Sequence, residues 1–239
     1  MSQSYSRRSV QARRRAAPTP ESEAPPTAAT LPPARALLAL AVVVAVVIAA
    51  GYAVGAAIRT QPHGPFANCH TAPQVAPHTF ARPPASCIRS DRTYVAKLNT
   101  TRGVVDIVMP AGAATQTVNN FVVLAANGFY DGLSFHRAES WVVQGGDPQG
   151  DGRGGPGYTL PEEAAAPAWG TGSVGMARFP SGPINGSQFF IVRGPWPGGG
   201  PGEVKYNQFG TVLSGIEVVN QLAQGDRILS VDLTIQSPA

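Results

Sequence analysis

The chain has 239 residues, with Lys+Arg 18 against Asp+Glu 14 and a formal net charge of +4. Charged residues make up only 13% of it, about half the share in an ordinary globular protein, which argues against a nucleic-acid binder despite the basic balance. An apolar fraction of 43% excludes full disorder, and two cysteines exclude both a disulfide-scaffold protein and a four-thiolate zinc site. The excess charge sits in residues 1–36, which hold six arginines (Arg7, Arg8, Arg13, Arg14, Arg15, Arg35) and two glutamates (Glu21, Glu23). Residues 37–239 are electrically balanced, with twelve basic and twelve acidic side chains.

Residues 1–35 are rich in Ser, Arg, Pro, Ala and Thr and cannot bury enough surface to offset chain entropy, so a disordered cytoplasmic tail is expected. Residues 36–58 (ALLALAVVVAVVIAAGYAVGAAI) are 23 uncharged residues, long enough as a helix to cross a bilayer core of roughly 30 Å. Arginines crowd the leading flank and only Arg59 follows closely. By the positive-inside rule this reads as a single-pass signal anchor with everything after Ile58 outside the cytoplasm. A cleaved signal peptide would have a shorter apolar region, a lipoprotein anchor would need a nearer cysteine than Cys69, and a buried core helix would rarely run so long without charge.

Residues 59–91 form a Pro-rich connector containing both cysteines. In an oxidising compartment Cys69 and Cys87 are expected to pair, closing a loop that stabilises the fold by about 3 kcal/mol. A Cys/His metal site drawing on His63, His70 and His78 is the alternative, but no ligand spacing supports it and no metal is expected.

From residue 92 to 239 the texture is that of a folded domain. Thr93–Asn99 and Gly103–Met109 read as strands joined by a short turn. A helix is predicted from Thr115 to Asn127, with Val118, Phe121, Val122 and Ala125 inward and Asn127-Gly128 as its stop. Asp131-Gly132 signals a turn, and a second helix is predicted over Ile216–Ala223 with Ile216, Val219, Leu222 and Ala223 inward. Short strands fill the rest, ending with Ile228–Ile235. The pattern predicts a β-barrel or sandwich plugged by helices. Gly150-x-Gly-x-x-Gly155 fits a dinucleotide fingerprint literally, but Pro156 and Gly157 follow where a helix would have to begin, so no nucleotide is expected.

Six segments, in order, carry a more specific signal: Phe135-His-Arg137, Gln144-Gly-Gly-Asp147, Gly150–Gly157, Gly175-Met-Ala177, Asn185-Gly-Ser-Gln-Phe-Phe-Ile191 and Phe209-Gly-Thr-Val212. Together they resemble the cyclophilin family of peptidyl-prolyl cis-trans isomerases over residues 93–236. The resemblance implies a mainly β fold: a closed eight-stranded antiparallel barrel capped by two helices, with a substrate groove on its outer face. It implies Arg137 as the catalytic guanidinium, Gln144 as its orienting partner and Phe190 as the floor of a proline pocket, with Gln188 a further groove glutamine. Phe189 reads as plain core. The Arg137–Gln144 spacing is one residue shorter than the family pattern, which aligns Trp141 and Val142 with the pocket's aromatic and thioether positions. Ala177-Arg178 stands for the familiar Ala-Asn pair, and Tyr206 falls where many members have histidine. The Gly194–Lys205 segment lacks the expected apolar pair, and Trp196 is the candidate to fill that space.

The implied activity is rotation about X–Pro bonds of extracytoplasmic polypeptide clients. That bond turns slowly because amide resonance imposes a barrier of roughly 18–20 kcal/mol. Lowering it requires no cofactor, only a surface that grips the proline ring and stabilises a twisted amide. A proline-binding or chaperone-like module without turnover is the alternative, and cyclosporin is a candidate ligand.

Overall fold

The structure, a computed structural model, describes residues 65–70, 74–163, 168–179, 182–197 and 204–236. The expected tail (1–35), apolar span (36–58) and start of the connector lie outside the described residues, among which no helix is long and apolar enough to cross a membrane.

Two strands, β1 (Gln74–Ala76) and β2 (Thr79–Phe80), form a small hairpin of their own. The main sheet begins with β3 (Thr93–Thr100) and β4 (Gly103–Pro110), an antiparallel hairpin close to the predicted bounds. Its period-two pattern sends Tyr94, Ala96, Leu98, Val105, Ile107 and Met109 into the core. Then come α1 (Thr115–Ala126), β5 (Arg137–Glu139), β6 (Val142–Gly145), β7 (Thr159–Leu160), β8 (Ser173–Arg178), β9 (Ile184–Val192), β10 (Gln208–Ser214), α2 (Ile216–Gln221) and β11 (Ile228–Ile235).

Nine strands make one antiparallel sheet in the order β11-β3-β4-β10-β8-β9-β6-β5, with β7 on β9. The expected closed eight-stranded barrel is therefore corrected to an open one, since the end strands β11 and β5 do not pair as strands. A single bridge, Ser134–Arg227, and loop hydrogen bonds such as Phe135 N to Asp226 O (2.8 Å) span the gap. The reason lies in the approaches to both strands. Gly132 (φ +80°) and Gly225 (φ +93°) turn the chain out of extended geometry, leaving β5 only three residues long.

The interior is built on aromatic rings. Phe121 of α1 stacks on Tyr130 (4.9 Å) and meets Phe209 (5.1 Å) and, edge-on, Phe189 (5.6 Å). Each fully buried ring of this kind contributes about 1.5–3 kcal/mol. The four residues predicted to face inward on α1 are buried, but so is every residue from Thr117 to Ala125. Part of the outer face is covered by the connector, while Thr117 bonds to Glu163 and Asn120 to Gly186 O and Tyr158. Asn119 accepts from Cys87 N (2.8 Å) and donates to Ala85 O (3.1 Å), while Asn127 donates to Cys69 O (2.9 Å). Phe80 N bonds to Pro156 O (2.8 Å), and Phe66, Cys87 and Ile88 pack on the core.

Cys69 and Cys87 are joined as a disulfide with their Cα atoms 5.3 Å apart, which leaves no thiolate for the Cys/His alternative. Helix α2 is shorter than predicted. It ends at Gln221, with Leu222 extended (φ −60°, ψ 131°) yet buried, and Ala223 exposed rather than inward.

Candidate functional site

Strand β9 is buried along its whole length because both of its faces are covered. Phe189 and Ile191 point into the main core; Phe190 and Val192, one residue out of phase, form a second apolar cluster with Val142 and Ala177. Trp141, Trp169, Trp196 and Tyr206 pack around that cluster, so all three tryptophans of the chain gather on one spot.

Register explains the convergence. Arg137 lies opposite Gln144 across the β5–β6 ladder, and Gln144 lies opposite Phe190 across β6–β9. Gly175 of β8 is the next partner of Phe190, and its lack of a side chain matters: a Cβ there would overlap the Trp169 ring. Trp169 can therefore stack on Phe190, with centroids 5.3 Å apart and planes 26° apart. Tyr206 meets Phe190 edge-on (5.3 Å), as does Trp196 (5.8 Å), and Trp196 also reaches Trp141 (4.7 Å).

A cavity of about 70 Å³ opens to solvent here, walled by Arg137, Trp141, Val142, Gln144, Ala177, Arg178, Phe190, Trp196 and Tyr206. The structure thus brings together every residue assigned to the groove from sequence except Gln188, which stands just behind Gln144. A polar relay runs through it. Gln188 Nε2 donates to Gly154 O (2.8 Å), Gln144 Nε2 donates to Gln188 Oε1 (2.9 Å), and Arg137 Nη1 reaches Gln144 Oε1 at 3.4 Å. The Gly150–Gly157 run supplies the anchor of this relay. Asp147, buried, fixes that loop by accepting from Gln149 N (2.8 Å), Asp151 N (3.0 Å) and Gly152 N (2.6 Å).

The charges are paired. Arg137 Nε donates to Glu139 Oε1 (2.6 Å), and the Trp141 indole donates to Glu139 Oε2 (2.8 Å). These two bonds hold the Glu139 carboxyl below the usual carboxylate range. Arg178, which stands where the family pattern has asparagine, is tied down as well. Its Nη1 donates to Glu162 Oε1 (2.6 Å) and Lys205 O (2.7 Å), and its Nε donates to Gly182 O (3.1 Å). Burial pushes the His136 imidazole pKa down, with the Asp147 carboxylate opposing.

Sequence reasoning missed Glu139 and Trp169. The signal for Trp169 was a lone large aromatic in an Ala/Pro/Gly stretch; for Glu139 it was a carboxylate two residues from the key arginine on the same strand. Chemically, the site offers a guanidinium held by Glu139 beside an aromatic pocket, with the Gln144 amide on the same wall.

The family model described as cyclophilin type peptidyl-prolyl cis-trans isomerase/CLD matches residues 95–237. A peptidyl-prolyl cis-trans isomerase of Synechococcus elongatus is 40% identical over 137 residues, covering 57% of this chain and 93% of its own. Peptidyl-prolyl cis-trans isomerase B of Bacillus subtilis is 45% identical over 117 residues, covering 48% and 79%. Among solved structures, a cyclophilin type isomerase of Cryptosporidium parvum in the presence of the dipeptide Ala-Pro shares 28% identity at a TM-score of 0.50, covering 60% of this chain and 99% of its own.

Proposed function

The chain belongs to the cyclophilin-type peptidyl-prolyl cis-trans isomerase family, and from that footing we propose that it turns X–Pro bonds of polypeptide clients outside the cytoplasm, with Arg137 stabilising the twisted amide. The observation that carries this reading is the placement of the Arg137 guanidinium on the wall of the cavity floored by Phe190.

Phe190, Val142 and the surrounding rings grip the prolyl ring by apolar burial. As the amide twists, its nitrogen becomes pyramidal and gains a free lone pair that it lacks in the planar ground state. A guanidinium N–H aimed at that nitrogen, or at the prolyl carbonyl, binds the twisted form better than either planar form, which lowers the barrier. Gln144, anchored through Gln188 on Gly154 O, holds the arginine and offers an amide to the client backbone.

The extracytoplasmic setting is supported by the Cys69–Cys87 disulfide, since such bonds persist in oxidising compartments. The uncharged stretch 36–58, preceded by arginines, supports attachment at the membrane. The same groove is proposed to accept cyclosporin, on the strength of the Trp196 wall over Phe190.

The test is exchange NMR on an X–Pro peptide with the full chain in detergent, with and without Arg137→Ala. Acceleration that falls by about a hundredfold in the variant is expected, as for loss of a transition-state donor. Peptide binding without acceleration would select the proline-binding module instead, and activity undiminished by Arg137→Ala would remove the assigned role.

A further inference from the structure

The shortest polar contact of Arg137 is made within its own strand, with Glu139. Arg137 and Glu139 stand two residues apart on β5 and therefore on the same face. Oε1 of Glu139 takes the Nε–H (2.6 Å), and its Oε2 takes the Trp141 indole N–H (2.8 Å). The Trp141 ring in turn lies against the guanidinium, with Cζ 5.2 Å from the ring centroid. Arginine, carboxylate and indole thus close on one another. The backbone beneath them is pinned as well: Arg193 Nε donates to Glu139 O (2.7 Å) and Arg193 N to Trp141 O (2.8 Å).

We propose that Glu139 is the positioning residue for Arg137, with Trp141 locking its carboxylate, an inference that rests on the isomerase reading of the groove. An isolated exposed ion pair holds a guanidinium weakly, because solvent screens it and the long side chain keeps its rotamer freedom. Here each restraint fixes a different freedom. The bond at Nε sets the direction of the guanidinium plane, the Trp141 face limits its tilt, and the indole N–H stops the carboxylate from rotating away.

Occupying Nε leaves the Nη edge for the substrate. Nη1 has only the 3.4 Å contact with Gln144, and among the described residues nothing accepts from Nη2. The carboxylate does not touch the reacting atoms in this arrangement. It acts through Arg137, by keeping the donor edge aimed where the twisted amide forms. Loss of such aim lowers turnover more than ground-state binding, since planar substrate gains little from the guanidinium.

The experiment compares the full chain with Glu139→Ala, Glu139→Gln and Trp141→Phe by exchange NMR on an X–Pro peptide, reading kcat and KM separately and the Arg137 Nε–H resonance alongside. Glu139→Ala is expected to lower kcat about tenfold with KM within about twofold, and to move the Nε–H resonance. Glu139→Gln, which keeps a neutral acceptor, is expected to recover part of kcat, and Trp141→Phe to shift the resonance by a smaller amount. A Glu139→Ala chain with unchanged kcat overturns the proposal, as does a fall in kcat with the Nε–H resonance unmoved, or a change confined to KM. A wild-type chain that fails to accelerate exchange removes the isomerase reading and the proposal with it, whereas an active wild type matched by Glu139→Ala removes the proposal alone.

Discussion

Removing the Cys69–Cys87 bond by the double substitution Cys69→Ala, Cys87→Ala is expected to destabilise the domain without dismantling it. The bond closes a loop across a sequence separation of 18, and the chain-entropy model gives about 3 kcal/mol for a loop of that size. Two further consequences follow from what the loop touches. The Asn119 side chain relies on Ala85 O and Cys87 N, and Asn127 relies on Cys69 O, so a loosened connector exposes the polar groups of a helix that is otherwise buried all round. Cys69 itself is 1% exposed, so its removal also costs some packing. For a domain of this size each kcal/mol moves the melting temperature by roughly 2–4 °C, which gives a fall of about 6–12 °C. Thermal and urea unfolding, each with and without reductant, measure it. The wild type should lose about 3 kcal/mol on reduction and the double variant should be indifferent to reductant. A loss below about 1 kcal/mol, or a reductant effect that persists in the variant, would refute the loop argument.

Asp147→Ala leaves three backbone donors of the glycine-rich loop without their acceptor, and partial access to water limits the cost to about 2–4 kcal/mol. Urea unfolding should show that loss together with reduced turnover, because Gly154 O no longer anchors Gln188; an unchanged denaturation midpoint would count against the role given to Asp147. Asp226 accepts from Arg102 Nε (2.8 Å), Ala223 N (2.8 Å) and Thr101 Oγ1 (3.0 Å), and the Arg102 hydrogen bond is the largest cause of its lowered pKa. A carboxylate whose folded pKa is depressed contributes stability in full above its unfolded value, near 3.8, and loses it as pH falls through the folded value. Asp226→Asn should therefore flatten the acid limb of a stability-versus-pH curve below that point and lower stability at neutral pH, and an unaltered acid limb would show that the pair contributes nothing there.

Much of the site was legible because its motifs lie on neighbouring strands whose register is fixed. Arg137, Gln144 and Phe190 come from three stretches of sequence, yet two antiparallel ladders set them side by side. What escaped reading depended on contacts between remote segments. Binary patterning assigns Thr117, Asn119 and Asn120 of α1 to solvent, but each meets a remote partner: Thr117 bonds to Glu163 and Asn207, Asn120 to Gly186 and Tyr158, and Asn119 to a connector that is Pro-rich and reads as a linker. The closed barrel, which the family resemblance implied, failed for a related reason: closure here is interrupted by turns at Gly132 and Gly225 whose effect on β5 and β11 is tertiary. The ties of Arg178 were likewise illegible, because Glu162, Gly182 and Lys205 meet it only in the fold.

The pairing of both groove arginines bears on how clients are chosen. Arg137 and Arg178 stand on the walls of one cavity, and each is matched by a carboxylate, Glu139 and Glu162, within 2.6 Å. Two unmatched cations there would raise the local concentration of acidic segments and make association depend steeply on salt. With each cation matched, the far field of the groove is weak, and recognition falls to the surfaces that a proline presents wherever it occurs: a flat apolar ring and the carbonyls beside it. The aromatic wall of Phe190, Trp169, Trp196, Trp141 and Tyr206 fits the first, and Gln144 and the free edge of Arg137 fit the second. The matched charges leave an apolar wall and amide donors as the groove's main recognition surfaces.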